Sequence, residues 1–334
     1  MKKTFIIAEA GVNHNGNIEL AYKLIDEAVK AGANAVKFQT AVPELVMTEY
    51  ATKAEYQITN TGESGSQIEM AKKIHLPLSA YKELKEYCQK NNIMFLSTPF
   101  DMKSLELLLS FEMKFMKIPS GEITNYPYLK RIGEQNMNVI ISTGMSTLKD
   151  VEECLNLIVS SGTNKEKITL LHCTTEYPAP LEEVNLKAML TLKETFGVNI
   201  GYSDHTKGIE ISIAAAAMGA TVIEKHFTLD NKMEGPDHVA SLEPHELAEM
   251  IRCIRNVDLA MGDGDKQIAA SEEKNIVIAR KSILAAHDIE EGDVFTNENL
   301  IVKRPGSGIN PMRWNEVVGK KAKRKFLKDE FIEL

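Results

Sequence analysis

The chain has 334 residues, 43% of them hydrophobic and 26% charged, with a formal net charge of −8. That length suits one large α/β barrel with a small appendage, and the acidic balance excludes bulk electrostatic binding to nucleic acid or to an anionic membrane. The N-terminal MKKTFIIAEAG lacks a long apolar core and contains Glu9, so no signal peptide is expected. No run approaches the ~20 apolar residues of a membrane span. Cys88, Cys154, Cys173 and Cys253 are scattered without paired spacing, which reads as reduced cysteines of a cytoplasmic protein.

Short β-branched runs alternate with amphipathic segments along most of the chain. Residues 4–11 predict a strand and 18–32 a helix, joined by a polar loop over 12–17. A second strand over 35–40 is followed by a long insertion before a helix at 79–92. Strand 93–99 then precedes helix 102–110, strand 115–121 precedes 126–136, and strand 139–145 precedes 147–160. The last units are 168–174 with 186–196, 199–205 with 209–219, and 221–227 with 244–262. Eight such units close most simply as a (β/α)8 TIM barrel, with right-handed crossovers placing the helices outside. A doubly wound open sheet is the alternative. It favours a Gly-rich phosphate loop after the first strand, and GVNHNG is no GxGxxG.

The pattern changes after the eighth unit. The barrel is expected over 1–267 and a linker over 268–282. Residues 283–334 form a small β-rich domain, its short strands punctuated by Glu-Gly-Asp and Pro-Gly turns. Such a unit is too small for a second large core and is expected to lean on something else. Its basic run, GKKAKRKFLKDE, reads as solvated surface.

A βα-barrel carries its active site at the C-terminal ends of its strands. All eight ends here are polar: Glu9; Lys37 and Gln39; Ser97-Thr98; Lys117 and Ser120; Ser142-Thr143; His172-Cys173-Thr174; Ser203-Asp204-His205; and Glu224-Lys225-His226. Each alone has an ordinary structural explanation, as a cap or a satisfied core group. Eight together mark an active-site rim. The last two strands are neighbours, so His205 and His226 are expected ~5 Å apart across the ladder. That spacing lets two imidazoles share one divalent cation while leaving positions open for water and substrate. Two buried histidines satisfied by their neighbours are the alternative. Lys37 and Lys117, with Ser120, Ser142, Thr143 and Ser203, suit a small, densely anionic ligand such as a phosphate. Glu9, Glu122 and Asp237 are candidates for sugar hydroxyls or for acid–base work. For Asp237, within EGPDH, an Asx turn is an equal alternative.

Ten motifs in order along nearly the whole chain carry a resemblance. They are AEAGVNHNG, KFQT, FLSTPF, KIPSGE, STGM, LHCTTEYPAP, YSDHT, EKHFTLD, GPDH and VKRPGSGI. The set resembles the bacterial sialic acid synthase family, also called nonulosonate synthases. The resemblance implies a TIM barrel with a C-terminal antifreeze-like SAF domain. It implies condensation of phosphoenolpyruvate with an N-acetylated mannose-type sugar to a nine-carbon 2-keto acid, with release of phosphate. It implies a divalent metal at His205 and His226, manganese foremost, with magnesium or cobalt as alternatives. Lys37, Lys117, Ser120, Ser142 and Ser203 match phosphoenolpyruvate-binding positions. Glu9, Gln39, Glu122, Tyr177 and Asp237 match positions near the sugar. Arg304 matches an arginine that reaches the partner's barrel in a domain-swapped homodimer.

The product is expected to be N-acetylneuraminate, with N,N′-diacetyllegionaminate as the alternative. NHNG differs from the NHAG form associated with pseudaminic acid synthases, which makes that product the less expected one. Some members carry KHQT in place of KFQT, and asparagine in the segment equivalent to CTTEY. Two other readings stand further off. A synthase acting on a phosphorylated aldose would need an added basic cluster. A non-catalytic carbohydrate-binding protein would have little use for a phosphate site beside a histidine pair.

Overall fold

The alternating pattern yields eight strands: β1 (Phe5–Gly11), β2 (Ala35–Thr40), β3 (Met94–Pro99), β4 (Phe115–Ile118), β5 (Asn138–Ser142), β6 (Ile168–His172), β7 (Asn199–Asp204) and β8 (Val222–His226). The computed structural model describes residues 3–62 and 65–334. It pairs the strands in parallel in the order β3-β2-β1-β8-β7-β6-β5-β4, and β4 lies against β3. The ring is a (β/α)8 TIM barrel, not an open sheet.

The helices follow their strands as expected. α1 (Ile18–Ala31) begins at Asn17, whose side chain accepts from the Glu19 and Leu20 amides, and ends at Gly32 with φ 82°. Its Ala21, Leu24, Ile25 and Ala28 fall on one face and are buried. Burying Leu24 and Ile25 is worth about 1.5–3 kcal/mol each. The insertion after β2 folds into three short helices, α2 (Pro43–Val46), α3 (Glu55–Thr61) and α4 (Gln67–Ile74), before α5 (Ala80–Lys90). The outer ring continues with α6 (Met102–Leu109), α7 (Tyr126–Gly133), α8 (Leu148–Ser161), α9 (Ala188–Phe196), α10 (Glu210–Ala217) and α11 (Pro244–Ala260).

Strand pleat separates two kinds of interior. Alternate residues face outward into the strand–helix core, for instance Ile6, Ala8, Val36 and Ile223. The others face the barrel axis, where Ile7, Ala35, Leu96, Ile140, Leu171 and Val222 pack as an apolar plug. Two residues further along the same strands stand Glu9, Lys37, Thr98, Ser142, Cys173 and Glu224. One step of the two-residue period thus carries the axis from a sealed plug to a polar chamber.

The first compact unit ends at Asp263, and the second spans Gly264–Leu334. In the second, β9 (Ser282–Ala285) pairs antiparallel with β10 (Leu300–Lys303). A small core of Ile283, Ile289, Phe295, Phe326 and Ile332 holds it together. The 268–282 stretch, read from sequence as a linker, contains a ten-residue helix, α12 (Ala270–Ala279). In the basic run, Arg324 pairs with Glu330 and Lys325 with Glu290, all at the surface. Among the described residues no helix is long and apolar enough to cross a membrane.

Candidate active site

At the C-terminal mouth of the barrel the axial side chains enclose a chamber of about 160 Å3. Its floor is a buried charge quartet. Lys37 Nζ lies 2.6 Å from Glu9 Oε2 and 3.6 Å from Glu224 Oε2, and Lys117 Nζ lies 3.6 Å from Glu224 Oε1. Thr98 Oγ1 accepts from Lys37 at 3.0 Å, Ser142 Oγ accepts from Lys117 at 2.6 Å, and Ser203 donates to Glu224 at 3.0 Å. Every member is almost fully buried.

The environment sets the protonation of each group. Burial pushes the Glu9 carboxyl up to about 7 against the attraction of Lys37, and Glu224 nearby adds to the rise. Burial also opposes charge on Lys37, but Glu224 and Glu9 outweigh it and hold the ammonium above its ordinary value. Lys117, desolvated and beside Lys37, is pulled below its own despite Glu224. Burial works against the Glu224 carboxylate too, yet Lys117 and Lys37 keep it ionised. Two lysines and two carboxyls in a water-poor box are costly unless a ligand uses them.

The histidines meet above the quartet. The His205 and His226 ring centroids are 5.6 Å apart. His205 Nδ1 donates to the Thr174 carbonyl at 2.6 Å, and its Nε2 faces the Ser203 hydroxyl at 3.4 Å. His226 Nδ1 is buried without a hydrogen-bond partner. Desolvation lowers His205 to about 4 and His226 well below its ordinary value, so both imidazoles are neutral and can ligate. Neutral imidazoles on adjacent strands, with His226 Nδ1 unpartnered and His205 Nε2 met by a long contact to Ser203, fit a divalent cation. Among the described residues no cluster of three or more His, Cys, Asp or Glu forms a fuller cage, so other ligands would be water or substrate.

Tyr177 covers the pair, its ring centroid 4.2 Å from that of His205 and 5.7 Å from that of His226. Ser120 Oγ accepts from the Gly144 amide at 3.0 Å. A side chain at Gly144 would crowd the chamber wall, since a Cβ there would fall 2.2 Å from Thr175 Oγ1 and 2.8 Å from Ser120 Oγ. Beyond Gln39, Phe100, Tyr177 and His226, which line both spaces, the chamber continues into an annex of about 340 Å3. Asp237 lies there, pushed up to about 6 by burial. A larger groove, about 770 Å3, opens beside Met145 and Thr175 and contains neither the quartet lysines nor the histidine pair.

The structure thus brings Glu9, Lys37, Gln39, Lys117, Ser120, Ser142, Tyr177, Ser203, His205 and His226 around one chamber. Glu122 stands apart from the lining. It is half-buried on the turn after β4, beside Ser120 and Gly121, and its carboxylate accepts from Asn125. Arg304 belongs to the second unit, where its Nε donates to the Ala279 carbonyl at 3.1 Å. Several rim residues do not line the chamber: Thr143, expected at the anion site, donates to the Leu171 carbonyl at 3.1 Å, the Ser97 and Thr40 hydroxyls lie 2.7 Å apart, His172 donates to the Val184 carbonyl at 2.7 Å, and Asp204 and Lys225 pair at 3.0 Å, fully buried, with Ser212 donating to the same carboxylate. The residue missed as a site member is Glu224. Its signal is the pleat, which puts it on the same face as His226 and opposite Ser203.

The fold and site define a TIM barrel whose mouth gathers two lysines and two carboxyls beside a histidine pair. The NeuB family model matches residues 24–266, and the SAF domain model matches 280–333. The chain belongs to the NeuB family, the nonulosonic acid synthases, and carries a C-terminal SAF domain. It is 54% identical over 332 residues to an N,N′-diacetyllegionaminic acid synthase of Campylobacter jejuni, covering 99% of both chains. A second N,N′-diacetyllegionaminic acid synthase, from Legionella pneumophila, is 43% identical over 94% of this chain and 89% of its own length. Among solved structures, the N-acetylneuraminic acid (sialic acid) synthetase of Leptospira borgpetersenii in complex with citrate has a TM-score of 0.73 at 36% identity. That alignment covers 82% of this chain and 90% of the other. Enzymes of this family are generally metal-dependent.

Proposed function

We propose that the chain condenses phosphoenolpyruvate with 2,4-diacetamido-2,4,6-trideoxymannose, giving N,N′-diacetyllegionaminate and phosphate. The observation that carries this reading is the 54% identity, end to end, to the C. jejuni synthase named for that product. N-acetylneuraminate, the product expected first from the motifs, has weaker support. The solved synthetase of that name stands at 36%.

In this reading Lys37, Lys117, Ser120, Ser142 and Ser203 hold the phosphate and carboxylate of phosphoenolpyruvate. The two ammoniums, already balanced by Glu9 and Glu224, lie where the donor's charge would arrive. Gln39, Tyr177, Glu9 and Asp237 face the sugar. His205 and His226 would hold a divalent cation, manganese foremost, which when bound polarises the sugar's aldehyde oxygen. C3 of the enolpyruvate forms the new bond to the aldehyde carbon, and water adds at C2. The C2–O bond to phosphate then breaks, so one water is consumed for each phosphate released. Glu122 is assigned to orient that water, swinging from Asn125. Arg304 would come from a second copy of the chain in a homodimer, capping the partner's barrel. A cytoplasmic location follows, because the donor is an intermediate of central metabolism.

The test is phosphate release from phosphoenolpyruvate with manganese, supplying either the diacetamido-trideoxy sugar or N-acetylmannosamine. Preference for the first supports the reading. Preference for the second returns the product to N-acetylneuraminate, and release with neither sinks both.

A further inference from the structure

The annex differs from the chamber in what lines it. Its outer wall comes from the insertion after β2, where α2 and α4 pack against each other. In α4, positions 67, 70, 71 and 74 share one helical face, and all four side chains line the annex. Met70, Ala71 and Ile74 line the annex together with Val46 and Met47, while Gln57 and Gln67 of the same insertion and Asp237 add polar groups to its lining. The His226 ring opens into both spaces. The annex is the space that shares the His226 ring with the chamber, so a sugar whose aldehyde carbon reaches the histidine pair can extend its C4–C6 end there; the chamber alone, at about 160 Å3, is small and charged.

We propose that the apolar wall of Val46, Met47, Met70 and Ile74 selects the sugar by its far end, accepting a C6 methyl and an acetamido methyl and disfavouring a C6 hydroxyl. The inference rests on the synthase reading above and deepens it. The chemistry is that of an unmatched polar group. A C6 hydroxyl pressed on methionine and branched aliphatic carbons loses its water without gaining a partner. An apolar pocket rejects an added hydroxyl by about 10²-fold at most, so wild-type kcat/KM is expected to favour the 6-deoxy sugar by up to that factor. Polar groups nearby, Gln57, Gln67 and Asp237, leave the acetamido N–H and the remaining hydroxyls satisfiable.

The test compares wild type, V46T/M70Q, V46T alone and M70L, each assayed with manganese on both sugars. Val→Thr keeps shape and adds a hydroxyl, Met→Gln keeps length and adds an amide, and Met→Leu stays apolar. The proposal expects V46T/M70Q to lower kcat/KM on the diacetamido-trideoxy sugar by about tenfold or more, while N-acetylmannosamine changes little and KM for phosphoenolpyruvate holds. M70L should keep the wild-type preference. Equal losses on both sugars, or an unchanged ratio in the double variant, overturn the wall while leaving the synthase reading standing. A wild type that prefers N-acetylmannosamine overturns the product reading and the wall together. If the double variant does not fold, the half-buried V46T decides alone: an unchanged ratio overturns the wall and a lowered one supports it.

Discussion

In the chamber every ionisable side chain leaves a barrel strand or the turn directly after it, whereas the annex is walled by two short helices from an insertion. The first arrangement fixes donors by a hydrogen-bonded ladder on both sides, as Lys37 on β2 pairs with Glu9 on β1 and Leu96 on β3 and reaches Thr98 with its ammonium. The second fixes only shape. α2 is a single turn whose N-cap residue, Val42, makes no side-chain cap. In the proposed reading the difference places chemistry on the barrel strands and sugar selection on the insertion, which sequence change can remodel without disturbing the barrel.

The largest expected effect strikes the chamber. His226→Ala removes one of two candidate ligands and should lower phosphate release by about 10³-fold or more, roughly 4 kcal/mol of transition-state stabilisation. Manganese retained per chain, measured on the same sample, should fall with it. Full activity with metal still bound would take His226 out of the metal site.

The second prediction separates the inside of the barrel wall from the outside. Lys225→Met leaves Asp204 buried without its cation and should cost about 3–5 kcal/mol in urea unfolding. Lys37→Met should cost a similar amount by stranding Glu9 and Glu224. Only Lys37→Met should raise KM for phosphoenolpyruvate. If Lys225→Met raises it equally, the pleat does not divide scaffold from site as described.

A smaller effect belongs to the annex. The Asp237 carboxyl is raised by burial from 3.8 to about 6, so the folded state holds its proton more tightly than the unfolded chain does. Its contribution favours folding at low pH and is lost as pH rises from about 4 to about 6, by up to about 3 kcal/mol. Asp237→Asn should therefore match wild type near pH 4 and exceed it in stability near pH 7, by urea unfolding without ligands. Equal stability at both pH values would mean the carboxylate is better solvated or partnered than its burial indicates.

The same contrast explains how much of the molecule is legible in its sequence. Strand ends announce themselves, because a βα repeat brings polar residues to one mouth wherever apolar runs stop, and Glu9, Lys37, Lys117, His205 and His226 all meet there. Grouping each polar strand end as one unit passes over the alternation inside it. That alternation turns Asp204 and Lys225 outward and draws Glu224 inward, and it is as much a property of the sequence as the strand ends are. The annex is illegible for a different reason. Among the described residues of 43–74 lie three helices of four to eight residues, too short for a period to rise above composition, and the residues that line the annex with them include Val12 after β1, Phe100 after β3 and the Asp237 loop.

Glu122 lies on the boundary between the two regions and gives the finest test. It follows Ser120 and Gly121 at the chamber's edge, and burial raises its carboxyl although the Asn125 amide opposes the rise. The quartet carboxylates are already engaged, Glu9 by Lys37 and Glu224 by both lysines and Ser203. A group that orients water has to give up its present partner without unbalancing the buried charges, and among the described residues the Glu122 carboxylate has only Asn125 to release. Glu122→Gln keeps size and hydrogen bonding but cannot take a proton, so kcat should fall about 10²-fold, roughly 2.7 kcal/mol, with KM for phosphoenolpyruvate unchanged. Unchanged turnover would move the water-orienting role inside the chamber, to Glu9 or Glu224, and would make the quartet a participant in proton movement as well as a cradle for charge.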